Sequence, residues 1–220
     1  MFRLFTSFKG LSFVIVALLL IYLFATVHST IKAKFLNPKT HIAGLLKLFF
    51  TISFILVTGL SFANRRTVMG FDIMSMSVPV MQPAVSQGDK FLVNTWVYNN
   101  VKPKRGDIVV HSFDGQNGLY LNRVIAIEND KIEIINGVVF LNGQPLNEQY
   151  VLSSNVTRPE SKDIKEIIIP KGHYFVMGDN RDASFGDSRF SGTITITNIE
   201  GKITDIISSS DKSRIGITVK

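Results

Sequence analysis

Between Met177 and Gly192 the chain reads Met-Gly-Asp-Asn-Arg-Asp-Ala-Ser-Phe-Gly-Asp-Ser-Arg-Phe-Ser-Gly. Carboxylates, guanidinium groups and hydroxyls crowd together here, each a natural partner for the next. An arginine fork bridges a carboxylate with two parallel bonds, and Asn and Ser close turns on their own backbone. Asp179, Asn180, Arg181, Asp187 and Arg189 therefore predict a rigid polar buttress, with the Ser184 hydroxyl held among them. A buttress of this kind belongs beside a site.

Other groups able to do chemistry are few. The chain has no cysteine, which excludes thiol chemistry and disulfides and leaves the compartment open. His28, His41, His111 and His173 stand far apart and none has metal-ligand spacing, so no metal and no cofactor are expected. Hydroxyls remain, and Ser75 and Ser77 in Phe71-Asp72-Ile73-Met74-Ser75-Met76-Ser77 are the pair that matters below. The formal charge of +7 could suit nucleic acid, but the lysines are scattered, with no basic helix and no RNA-type aromatic motif. A nucleic-acid partner is not expected.

Further stretches follow in a fixed order. Met81-Gln82-Pro83-Ala84-Val85-Ser86-Gln87-Gly88-Asp89 leads into Phe91-Leu92-Val93-Asn94, and then comes Pro103-Lys104-Arg105-Gly106-Asp107-Ile108-Val109-Val110. Tyr120-Leu121-Asn122-Arg123-Val124-Ile125 and Asn142-Gly143 come next, and Ile199-Glu200-Gly201-Lys202 and Arg214-Ile215-Gly216 follow the 177–192 segment. Taken together, these boxes resemble those of the type I signal peptidases, from residue 71 to about 216. That family consists of membrane serine endopeptidases that remove signal peptides with a serine nucleophile and a lysine base, a variant of the usual nucleophile-and-base logic.

The resemblance implies roles, and two positions depart from it. The family serine directly precedes the Met of the M-x-P box, where this chain has Val80. The family lysine directly precedes the Arg of the K-R-V-I box, where this chain has Asn122. Valine offers no nucleophile, and an amide does not accept a proton at useful pH. Losing a positioned base alone costs about 10²–10⁴ in rate, and losing a unit that acts together about 10⁶. A second register, in which residues 71–77 resemble the family's F-x-I-P-S-G-S, makes Ser77 the nucleophile and Ser75 an oxyanion-stabilising hydroxyl. That register still supplies no lysine base. Ser184 matches the serine that supports the base, and Gly186 is an extra residue beside it. Two readings follow: a silent relative that binds signal peptides, and an active peptidase using Ser77 with a non-standard base. The implied partners are signal peptides of exported preproteins, the lipid bilayer and an intact signal peptidase.

The elements that must hold these residues fall into two classes. Residues 11–31 carry no formal charge, and residues 42–63 are broken only by Lys47, so each is long and apolar enough for a transmembrane helix. Lys47 can snorkel to the headgroups. Residues 1–10 form a short leading segment, and residues 32–41 a basic loop with Lys32, Lys34 and Lys39. Positive loops prefer the cytoplasm, which puts both termini outside and the rest of the chain on the periplasmic or outer face of a bacterial inner membrane. From residue 64 onward the expectation is an antiparallel, barrel-like β domain of signal-peptidase type. Its predicted strands lie at 91–94, 107–110, 120–127, 131–135, 138–141, 167–169, 174–177 and 203–207, with an Asn136-Gly137 hairpin and an exposed loop over 152–165.

Overall fold

Proline is suited to the first turn of a helix, where its missing N–H has no partner to lose. Helix α1 begins on one, running Pro38–Ala63. Its Gly44–Ala63 stretch is 20 residues long with mean hydropathy 2.0, long and apolar enough to cross a membrane. The computed structural model describes Tyr22 and residues 24–29, 31–32, 38–151 and 162–219. Most of the first expected span, residues 11–31, lies outside these. Ile31 and Lys32 are helical and α1 starts at Pro38; the rest of the expected basic loop, residues 33–37, lies outside the described residues. A short helix α2, Arg65–Val68, follows, and the chain divides into compact units after Met69. No acidic residue precedes Asp72, so the candidate span and its flanks carry positive charge only.

Among its described residues the second unit, Gly70–Lys220, has eleven strands. In chain order they are β1 (Phe71–Ser75), β2 (Lys90–Asn94), β3 (Ile108–His111), β4 (Tyr120–Ala126), β5 (Lys131–Ile135), β6 (Val138–Leu141), β7 (Gln144–Pro145), β8 (Ile164–Ile168), β9 (His173–Met177), β10 (Ile194–Thr195) and β11 (Ile199–Ser208). A seven-stranded sheet has the order β1-β2-β11-β3-β4-β9-β10, and a four-stranded sheet the order β7-β6-β5-β8. Every pairing is antiparallel. The expected hairpin is present: Ile135 pairs with Val138, and Asn136 and Gly137 both take positive φ (49° and 82°), as a two-residue turn of the favoured twist needs. Strand β8 starts at Ile164, so the loop expected over 152–165 gives way to strand at its end; residues 152–161 lie outside the described residues.

Alternation explains what is buried. On β5, Ile132 and Ile134 point inward against Ile125, Phe175 and Met177, closing the small sheet over one end of the large one. Phe91, Val93, Val110, Leu121, Ile203 and Ile206 form a second core with Met76 and Met81 beneath the β1 end. Val109, Val124, Tyr174, Val176 and Ile194 form a third on the opposite face. Strand β4 runs between these cores and is buried on both faces after Tyr120. Polar residues on it must therefore find partners inside the protein.

Candidate active site

Arg123 and Asp179 are the first such partners. The guanidinium donates from Nε to Oδ1 (2.8 Å) and from Nη2 to Oδ2 (2.6 Å), and from Nη1 to the Gly106 carbonyl (3.0 Å). Its face lies 4.2 Å from the Tyr150 ring. Burial pushes the Asp179 carboxyl above the ordinary carboxylate range, and the Arg123 charge offsets part of that. Arg181 donates to the Gly178 carbonyl (3.0 Å) and pairs with Glu148, which also accepts from the Tyr150 hydroxyl (2.9 Å). Arg189 holds Asp187 at 2.9 Å and ties down the carbonyls of Arg181 (2.7 Å) and Ser184 (3.2 Å). Asp187 caps a single turn, helix α3 (Ser188–Ser191). Within the segment Arg189 pairs with Asp187, while Asp179 pairs with Arg123 on β4 and Arg181 with Glu148 after β7.

What the buttress holds in place is a meeting of three residues. The Asn180 amide donates to the Val80 carbonyl (3.0 Å). A Cβ added to Gly178 would come within 2.6 Å of the Ser184 hydroxyl and 2.8 Å of the Val80 carbonyl, so only glycine lets these strands of chain approach. Asn122 Nδ2 faces Ser184 Oγ at 3.4 Å, and its Oδ1 lies 2.8 Å from His111 Nε2. His111 and Asn122 are fully buried and Ser184 nearly so. Burial holds the His111 imidazole below its ordinary pKa. Its ring stacks on Tyr120 and meets Phe113 edge-on.

Val80, Asn122 and Ser184 line a cavity of about 610 Å³ whose lining is mostly apolar. Met74, Val78, Val80, Leu119 and Phe185 line its walls, and Asn122 and Ser184 are among its few polar groups. Ser75 and Ser77 line the same cavity and are exposed, and the Ser77 carbonyl accepts from Gln87 Nε2 (2.9 Å). Among the described strands β1 lies at the end of its sheet and pairs only with β2, and its Ile73 amide donates to the Asp72 carboxylate (2.7 Å). Gly186 packs flat on the Tyr120 ring, which leaves Phe185 at the rim, 66% exposed.

Sequence reasoning missed His111, Glu148 and Tyr150. Arg123 lay inside a recognised box, yet nothing marked Asp179, 56 residues on, as its partner. A buried histidine eleven residues from Asn122 leaves no local signal either.

The chain is similar to known proteins. The model described as "Signal peptidase, peptidase S26" matches residues 44–207. The probable signal peptidase I-1 of Synechocystis sp. strain PCC 6803 is 36% identical over 131 residues, covering 55% of this chain and 63% of that protein. Signal peptidase I P of Bacillus subtilis subsp. natto is 37% identical over 114 residues, covering 50% and 61%. The chain thus spans less than two thirds of either relative. A crystal structure of a signal peptidase I from Enterococcus faecalis V583 matches with TM-score 0.41 and 27% identity, over 47% of this chain and 98% of that one.

Proposed function

The chain belongs to the signal peptidase family, peptidase S26, and from that membership we propose that it is a membrane-held receptor for signal peptides whose serine and lysine are replaced by Val80 and Asn122. The observation that carries this reading is the convergence of Val80 and Asn122 on Ser184, through the Asn180 amide, Gly178 and the Asn122 carboxamide. Position 80 stands where the family's nucleophile would be needed, and position 122 where its base would be. An isopropyl group cannot attack a carbonyl, and an amide nitrogen has no lone pair free to take a proton. Peptide binding survives such a loss, because it depends on the edge strand β1 and the apolar cavity beside it. An extended peptide adds to such an edge through main-chain bonds, and its side chains fill pockets on alternate sides.

In this reading α1 and a second helix over residues 11–31 anchor the chain in a bacterial inner membrane. The positive residues between them face the cytoplasm, and the β unit stands on the periplasmic or outer face. A bound preprotein would be presented to, or withheld from, an intact signal peptidase.

The exposure of Ser75 and Ser77 on the same cavity favours one competing reading, an active peptidase with Ser77 as nucleophile and a non-standard base. Reconstituted protein incubated with a preprotein separates the two. The receptor reading expects binding without cleavage, and cleavage in the Val80→Ser/Asn122→Lys double variant. Cleavage by the parent chain that disappears in Ser77→Ala would overturn it.

A further inference from the structure

His111 takes no part in the reading above, yet it is fully buried and bonded to one of its central residues. We infer that His111 is a positioning residue: it sets which end of the Asn122 carboxamide faces Ser184, and so whether the groove floor offers the Ser184 hydroxyl as hydrogen-bond donor or as acceptor.

The argument is an accounting of donors and acceptors. His111 Nδ1 lies 3.3 Å from the Ser112 carbonyl, and Nε2 lies 2.8 Å from Asn122 Oδ1. Both neighbours only accept, while a neutral imidazole has one N–H to give. With Oδ1 on His111 and Nδ2 on Ser184, every atom is satisfied only when the imidazole carries both protons. A neutral ring is satisfied in one way: Nδ1–H donates to Ser112, Nε2 accepts from the turned amide, and Ser184 donates to Asn122 Oδ1. A buried polar atom left unmatched is penalised, and that penalty enforces the choice.

Few charges compete for this histidine. Strand β4 brings Tyr120 and Asn122 against it, and β11 brings Ile199, which is uncharged. The buttress contributes Asp187, which favours the protonated ring but is itself held by Arg189. In the neutral state the Ser184 proton is committed to Asn122. In the protonated state Ser184 accepts from Asn122, and its own proton is released toward the cavity that both residues line. A peptide carbonyl in the groove then gains a donor.

The functional arm of this inference rests on the groove being a peptide site; the spectroscopic arm does not. In full-length protein labelled with ¹⁵N-histidine and ¹⁵N-asparagine, long-range spectra at neutral pH should show His111 protonated at Nδ1. The Asn122 side-chain signals should shift as His111 titrates. An Nε2–H tautomer at neutral pH, or Asn122 signals that ignore the titration, would overturn the inference with no peptide present. With a fluorescent signal peptide, affinity should rise about fivefold as His111 protonates, the equivalent of one ordinary hydrogen bond. The rise should vanish in His111→Gln, which keeps a polar side chain but does not titrate. A His111→Gln protein that keeps the rise refutes the assignment. Should that variant fail to fold, the tautomer of the parent chain decides.

Discussion

Replacing Arg123 by Ala would strand Asp179, whose carboxylate is fully buried and held by two bonds from the guanidinium. Breaking a buried pair from one side costs about 3–5 kcal/mol, mainly the penalty of an uncompensated buried charge. An exposed pair gives the contrast. Lys102, whose side chain is 70% exposed, bonds Glu128 at 2.7 Å, and Lys102→Ala should cost far less. Trp96 is the only tryptophan and lies in the β unit, so its fluorescence during denaturant unfolding of the full chain reports that unit. The sign with pH is a second check. Asp179 already sits above its ordinary carboxylate pKa through burial, and removing Arg123 removes an opposing influence. A folded pKa raised above the unfolded value favours the protonated fold, so the variant's deficit should shrink as pH falls from about 8 toward 5. The double variant Arg123→Ala/Asp179→Ala should lose less than the sum of the single losses. An Arg123→Ala deficit no larger than that of Lys102→Ala, or one that grows on acidification, would refute the claim that this pair is a desolvated brace.

Other outcomes follow from the same geometry. Gly178→Ala drives a methyl group against Ser184 and the Val80 carbonyl, and should cost about 1–3 kcal/mol in unfolding and weaken peptide binding. Gly186→Ala overlaps the Tyr120 ring and should displace Phe185 from the cavity rim, lowering peptide affinity more than stability. Asp107 is pushed up by burial, but bonds from Lys202, the Lys104 amide and Tyr98 outweigh that and hold it below its ordinary 3.8. Its contribution is therefore present above that value and lost as pH falls through the lower folded one. Asp107→Asn should be less stable at pH 7, and its acid unfolding curve should be flatter below about pH 4.

Strands whose inward positions alternate with polar ones were legible, and so was the turn at Asn136-Gly137, because both signals are local. Strands β7 and β10, two residues each, have no period to read and exist only through pairing with β6 and β9. The 177–192 segment was legible as a buttress because its groups lie within a few residues of one another. Its outward ties were not. Glu148 sits 33 residues before Arg181, and His111 meets Asn122 only because β3 and β4 pair in the register that sets Val109 opposite Asn122. Contacts created by register are invisible until the sheet is assembled.

The bond from the Asn180 amide to the Val80 carbonyl engages main chain alone. Whatever side chain occupies position 80 inherits the same placement, and the energy that secures the backbone there is indifferent to its chemistry. At position 80 the placement of a reactive group is thus separable from its identity, whereas position 122, fully buried between His111 and Ser184, has no such freedom, and a lysine there would need a new set of partners.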